Sequence, residues 1–184
     1  METEIKTEKL TFEDIAAILD EYQLQADKTA VYPDQYKIAY PALGVVEESR
    51  EFLNSVFDSK GRDEVAVLKE AGDVFWYCSA LSYDLGYTLS ECFESETTRV
   101  TQPGEFLGVV SELAGHCKKI LRGDDNREAK SERVAAIISQ VLEYVVEFIP
   151  GHPCDAYRLV CETNIEKLFD RKERGVLKGS GDNR

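Results

Sequence analysis

The 184-residue chain has 35 acidic and 22 basic residues, a net charge of −13, and a hydrophobic fraction of 43%. That fraction supports a globular core rather than disorder throughout, and the negative charge argues against a nucleic-acid polymer or an anionic membrane as partner. A small anion such as a nucleotide is compatible with it, provided that metal or local basic residues meet the charge.

Residues 1–10 read as a charged lead-in without an apolar signal region. Thr11 then caps a first helix running to about Thr29, with Asp14 at its third position and Ile15, Ile18, Leu19 and Tyr22 at helical spacing. Tyr32, Pro33, Tyr36 and Tyr40 form an irregular connection, and Pro41 precedes a second helix from about Ala42 to Phe57. After the loop 58–62, a third helix runs from about Asp63 to Leu85 and ends at Gly86, a left-handed cap. Thr88 or Ser90 caps a fourth helix to about Arg99, and Pro103-Gly104 breaks it. Three more helices follow, from about Glu105 to Arg122, Arg127 to Phe148 and Asp155 to Arg174, before a glycine-rich tail. No segment alternates like a strand, so the predicted fold is all-α, with about seven helices.

The second and third helices carry the chemistry. Each has two carboxylates three positions apart, Glu48/Glu51 and Glu70/Asp73. That spacing puts each pair on one helix face. Val45, Val46, Phe52 and Leu53 surround the first pair, and Val74, Phe75 and Trp76 follow the second, so both are drawn towards an interior. If the helices pack antiparallel, four acids face one another. Like charges at close range in a low dielectric cannot all stay ionised. A hard divalent cation with oxygen ligands is the simple remedy, and Mg²⁺ leaves coordination sites for water and phosphate. Only His116 and His152 are available for imidazole chemistry, which argues against zinc, histidine triads and Glu-x-x-His di-iron sites. Five cysteines without CxxC spacing read as reduced core thiols of a cytoplasmic protein.

Leu43-Gly44-Val45-Val46-Glu47-Glu48 returns as Leu107-Gly108-Val109-Val110-Ser111-Glu112, and Glu96-Thr97 as Glu162-Thr163. Both longer segments follow a proline and open a helix–loop–helix, which points to duplication: a first repeat in residues 1–100 and a degenerate second in 101–184, packed as one unit. The second copy keeps Glu112 opposite Glu48 but has Gly115 for Glu51, and Ile137 and Gln140 fall near Glu70 and Asp73.

Glu48-x-x-Glu51 followed by Glu70-x-x-Asp73 resembles the signature of the all-α nucleoside triphosphate pyrophosphohydrolases, the MazG-like and dimeric dUTPase-related proteins. The lead-in Tyr22-Gln23-x-x-Ala26-x-x-Thr29, the run Tyr40-Pro41-Ala42-Leu43-Gly44, and Glu70-Ala71-Gly72-Asp73-Val74-Phe75-Trp76-Tyr77 resemble short MazG-like proteins of phages and bacteria. So do the terminal run from Asn164 to Gly175 and its ending, Gly179 to Arg184. In short relatives the terminal motif follows the fourth helix directly, whereas here the degenerate copy stands between.

The resemblance implies Mg²⁺-dependent cleavage of an NTP or dNTP to NMP and pyrophosphate, with Mn²⁺ as a substitute, in a homo-oligomer, most simply a dimer. Glu48, Glu51, Glu70 and Asp73 would hold the metal, Glu48 also serving catalysis, and Glu47 would order the attacking water or act as its base. Lys167, Arg171 and Lys172 would meet phosphate, with Asn164 as a hydrogen-bonding partner. Trp76, Tyr77 or the Tyr32–Tyr40 connection would take the base. Arg174 and Arg184 would close over the substrate. If the two repeats mimic a dimer, acids from the first copy and bases from the second form one composite site, with Lys118, Lys119 and Arg122 added. Two alternatives stay open: a silent helical interaction protein, and a hydrolase of another phosphoanhydride such as an alarmone.

Overall fold

Caps and glycines set the helix ends. A computed structural model describes residues 11–93 and 98–177, and over these it is all-helical. Helix α1 spans Phe12–Asp27, α2 Ala39–Val56, α3 Glu64–Leu85, α4 Leu89–Phe93, α5 Pro103–Arg122, α6 Arg127–Val146 and α7 Pro153–Glu173. Thr11 and Asp14 close a reciprocal capping box on α1, the Asp14 amide donating to Thr11 Oγ1 at 3.2 Å and the Thr11 amide to Asp14 Oδ2 at 2.6 Å. Asp63 caps α3 by accepting from the Val65 amide at 2.9 Å, and Gly86 ends it in the left-handed region at φ 89°.

Several boundaries differ from expectation for local reasons. Helix α2 begins at Ala39, placing Pro41 inside its first turn, where the missing amide hydrogen has no helical partner to lose. Pro103 opens α5 at its first position rather than merely ending what precedes it, and Pro153 does the same for α7. Thr88, not Ser90, boxes α4 with Glu91. Helix α4 does not reach Arg99, since 98–100 are non-helical. Glu96-Thr97, the lead-in 1–10 and the tail from Gly179 to Arg184 lie outside the described residues.

Helices α2 and α3 form one αα-hairpin and α5 and α6 another, and α2 packs on α5. Helix α7 lies against α1 and α3, and α4 against α1 and α6. Apolar side chains from both halves share one core, including Leu19, Phe52, Phe75, Phe106, Ile137 and Tyr144. Among the described residues no helix is long and apolar enough to cross a membrane.

The entry into α2 is strained. Ile38 has φ 66° and ψ −48°, with the Ala39 amide donating to the Lys37 carbonyl at 2.7 Å. This is a γ-turn of the rare hand, in which a β-branched residue is an outlier. Asp84 from α3 holds it, its Oδ2 accepting from the Ile38 amide at 2.8 Å and the Tyr32 hydroxyl at 3.1 Å. Replacing Asp84 with Ala should cost about 2 kcal/mol in urea unfolding, because a partly buried amide and hydroxyl lose their acceptor. An unchanged midpoint would show that the turn stands without the carboxylate.

Candidate metal and phosphate site

The α2–α3 hairpin brings the predicted acids together, with one exception. Glu48 and Glu51 from α2 and Glu70 from α3 each place a carboxylate oxygen within 4.8 Å of the other two. All three are half-buried. Burial, and then the charges of Asp73, Glu70, Glu51 and Glu47, push the Glu48 carboxyl up to about 8. Asp73 is not in the triad. Its Oδ1 accepts from Lys167 Nζ of α7 at 2.5 Å, with only 20% and 18% of the two side chains exposed. Glu51 also has a cationic neighbour: the Arg50 guanidinium lies 3.2 Å from its Oε1, on the solvent side. Glu47 is exposed at the edge of the cluster.

Two glycines set the spacing of the site. A Cβ on Gly44 would lie 2.1 Å from ring carbons of Tyr77, so α2 and α3 approach only because that position is empty. A Cβ on Gly72 would lie 2.7 Å from Asn164 Nδ2, which fixes α7 against α3 in the same way. The sequence signal was available in both cases, a glycine inside a helix within a turn of an acid. Tyr77 spans the hairpin. Its hydroxyl is 3.4 Å from that of Tyr40, and its pKa lies well above the ordinary range through burial, then Tyr40, then the charges of Glu48 and Asp73.

The basic motif of α7 divides. Lys167 faces the acids through Asp73. Asn164, 2% exposed, accepts from the Tyr22 hydroxyl at 2.8 Å, and its Nδ2 has no partner among the described residues. Arg171 is 5% exposed and packed into the fold, not displayed to solvent. Lys172 points elsewhere: its Nζ donates to the Lys28 carbonyl at 2.9 Å, capping the end of α1. Arg174 pairs with Asp170 on its own helix.

Trp76 is a correction. It is 9% exposed, and its indole N–H donates to Thr29 Oγ1 at 2.9 Å, so it belongs to the core and offers no open ring face to a base. An apolar cleft of about 390 Å³ is lined by Val65, Leu68, Pro150 and Leu159, with Glu64, Lys69, Thr163, Asn164 and Lys167 as its polar residues.

The α5–α6 hairpin has a different electrostatic arrangement. Counted from the first residues of α3 and α6, Glu70 and Arg133 stand at the same helix position. Arg133 takes Glu112 in two contacts, 2.7 and 3.0 Å, and holds its carboxyl below the ordinary carboxylate range. The α5–α6 hairpin thus carries an ion pair between its helices, whereas the α2–α3 hairpin carries the three acids. Ile137 and Gln140 are interior, and Gln140 donates to the Thr98 carbonyl at 2.7 Å. Lys118 and Lys119 are exposed, while Arg122 is bound to Asp124.

No protein-family profile matches the chain, and no solved structure matches it. It is similar to the "Gene 37 protein" of Mycobacterium phage L5, 37% identical over 81 residues that cover 42% of this chain and 69% of the phage protein. The chain belongs to the family of that phage protein.

Proposed function

We propose that the chain is an Mg²⁺-dependent nucleoside triphosphate pyrophosphohydrolase of the MazG-like type. The observation that carries this reading is the convergence of Glu48, Glu51 and Glu70 from two helices, beside an Asp73–Lys167 contact that brings a cation to the same edge. The donor set is all oxygen and half-buried, which suits a hard divalent ion and not a soft one. Bound there, Mg²⁺ would neutralise phosphate charge and acidify a water. Glu48, Glu51 and Glu70 would hold it. Glu47, exposed at the rim, would orient the water or receive its proton. Lys167 would meet phosphate oxygens as a point charge. The apolar cleft bordered by Lys69 and Lys167 would take the nucleoside, a place for which its volume is adequate.

The duplication supports the same reading. We infer that the α2–α3 and α5–α6 hairpins are pseudo-equivalent halves of a fused dimer, with the Glu112–Arg133 pair marking the half that has given up its metal. This leaves one composite site, with its acids on the first copy and its lysine on the last helix.

The test is pyrophosphate release from a panel of NTPs and dNTPs with Mg²⁺, with Glu70→Ala as control. Release from at least one substrate, lost in the variant and on chelation, supports the reading. Absence of release from every substrate would leave a helical protein without this activity.

A further inference from the structure

Asp73 stands apart from the other three acids. It lies one turn beyond Glu70 on the same face of α3, where a metal ligand would be expected, yet Lys167 already has its carboxylate at 2.5 Å. The pair is mostly buried, at 18% and 20% exposure, so it is screened far less than a surface pair. We propose that Lys167 is a resident counter-cation of the acidic site: it holds Asp73 while no metal is bound, gives it up to the incoming divalent ion, and turns its ammonium onto the phosphate chain. The inference rests on the metal-dependent reading above and deepens it.

Three features support the exchange. Removing the cation of a buried pair strands the remaining charge, so Asp73 without Lys167 would face Glu48, Glu51 and Glu70 as an uncompensated fourth carboxylate. The site therefore needs one positive charge at this edge in every state. Lysine suits a charge that has to move, being a point charge on a flexible four-carbon stem, whereas an arginine fork would bind a carboxylate in two contacts and release it reluctantly. The released ammonium has a destination, because Lys167 also borders the cleft shared with Lys69 and Asn164. Asn164 cannot follow, being 2% exposed and pinned by the Tyr22 hydroxyl. Lysine and metal then compete for one carboxylate, and occupancy by one lowers affinity for the other.

The competition sets opposite signs on two measurements. With MgCl2 alone titrated calorimetrically into the nucleotide-free full chain, Lys167→Met should bind Mg²⁺ about tenfold more tightly than the unaltered chain, within the usual range of coupling between sites. Lys167→Arg, which keeps the charge, should stay within about twofold of the unaltered chain or bind more weakly. In turnover, Lys167→Met should show a raised KM for the triphosphate despite its tighter metal. A purely structural role for the ion pair would leave Mg²⁺ affinity unmoved or weaken it in Lys167→Met. That result, in a variant with an unchanged circular dichroism spectrum, overturns the exchange while leaving the metal site standing. Lys167→Gln, read in the same titration, gives the answer if the Met variant does not fold. If no chain takes up Mg²⁺ at all, the metal-dependent reading falls and the exchange falls with it.

Discussion

Glu48→Gln is expected to make the metal-free protein more stable and to remove its Mg²⁺ response. In the folded chain the Glu48 carboxyl is held at about 8 by burial and by the acids around it, against an ordinary value of 4.5. Because the folded value is the higher one, unfolding releases a proton between about pH 4.5 and 8, and stability falls as pH rises through that window. Above it, the folded state bears the full cost of an ionised Glu48. The amide cannot ionise, so Glu48→Gln should gain at pH 8 and close to nothing at pH 4.5; with the half-exposed side chain screened by solvent, the gain is about 2 kcal/mol, under half of what the full shift would give, read from urea midpoints at the two values. Added Mg²⁺ should stabilise the unaltered chain at pH 8, where Glu48 is about half protonated, and release about half a proton as it binds, detectable as a buffer-dependent heat. The variant should lose that response, and its pyrophosphate release should fall by at least about a hundredfold, since even outer-shell partners of a metal site cost ten- to hundredfold. A gain over the unaltered chain no larger at pH 8 than at pH 4.5 would show that the cluster is not electrostatically loaded.

Gly44→Ala should be the most damaging small substitution near the site. The added Cβ would lie 2.1 Å from Cδ1 and Cε1 of Tyr77, ring atoms in a half-buried side chain that also touches Tyr40 and Trp76. The ring has little room to move, so α2 and α3 have to separate. Overpacking of this kind costs about 1–3 kcal/mol, and the better helix propensity of alanine returns about 1 kcal/mol. A net loss of about 1 kcal/mol, and at most about 2, in thermal or urea unfolding is the expected result. The separation also spreads Glu48 and Glu51 from Glu70, so Mg²⁺ affinity should fall with stability. A second change, Tyr77→Leu, frees the space and should restore part of both. If Gly44→Ala is as stable as the unaltered chain and binds Mg²⁺ equally well, the hairpin does not depend on this close approach.

Much of the architecture is legible in the sequence because local chemistry fixes it. Thr11 and Asp14, Asp63, and Gly86 mark helix ends that the structure reproduces. The Glu48/Glu51 and Glu70 faces meet because three-residue spacing and the apolar flanks leave them one direction to point. What escapes the sequence is long-range. Nothing near Asp73 announces that a lysine 94 positions away holds it. The positive φ of Ile38 depends on Asp84, from another helix. A tryptophan inside a helix is more often core than platform, and the buried partner Thr29 decides for core at Trp76. The bidentate Glu112–Arg133 contact, between residues 21 positions apart on α5 and α6, is likewise invisible in the echo of Leu43–Glu48.

A crystal of the full chain soaked in MnCl2, with anomalous scattering recorded at the manganese edge, tests the metal site directly. The account predicts an anomalous peak within coordination distance of carboxylate oxygens from Glu48, Glu51 and Glu70, with Lys167 Nζ withdrawn from Asp73. A featureless map at those three side chains, from crystals in which they are ordered and solvent-accessible, would contradict it.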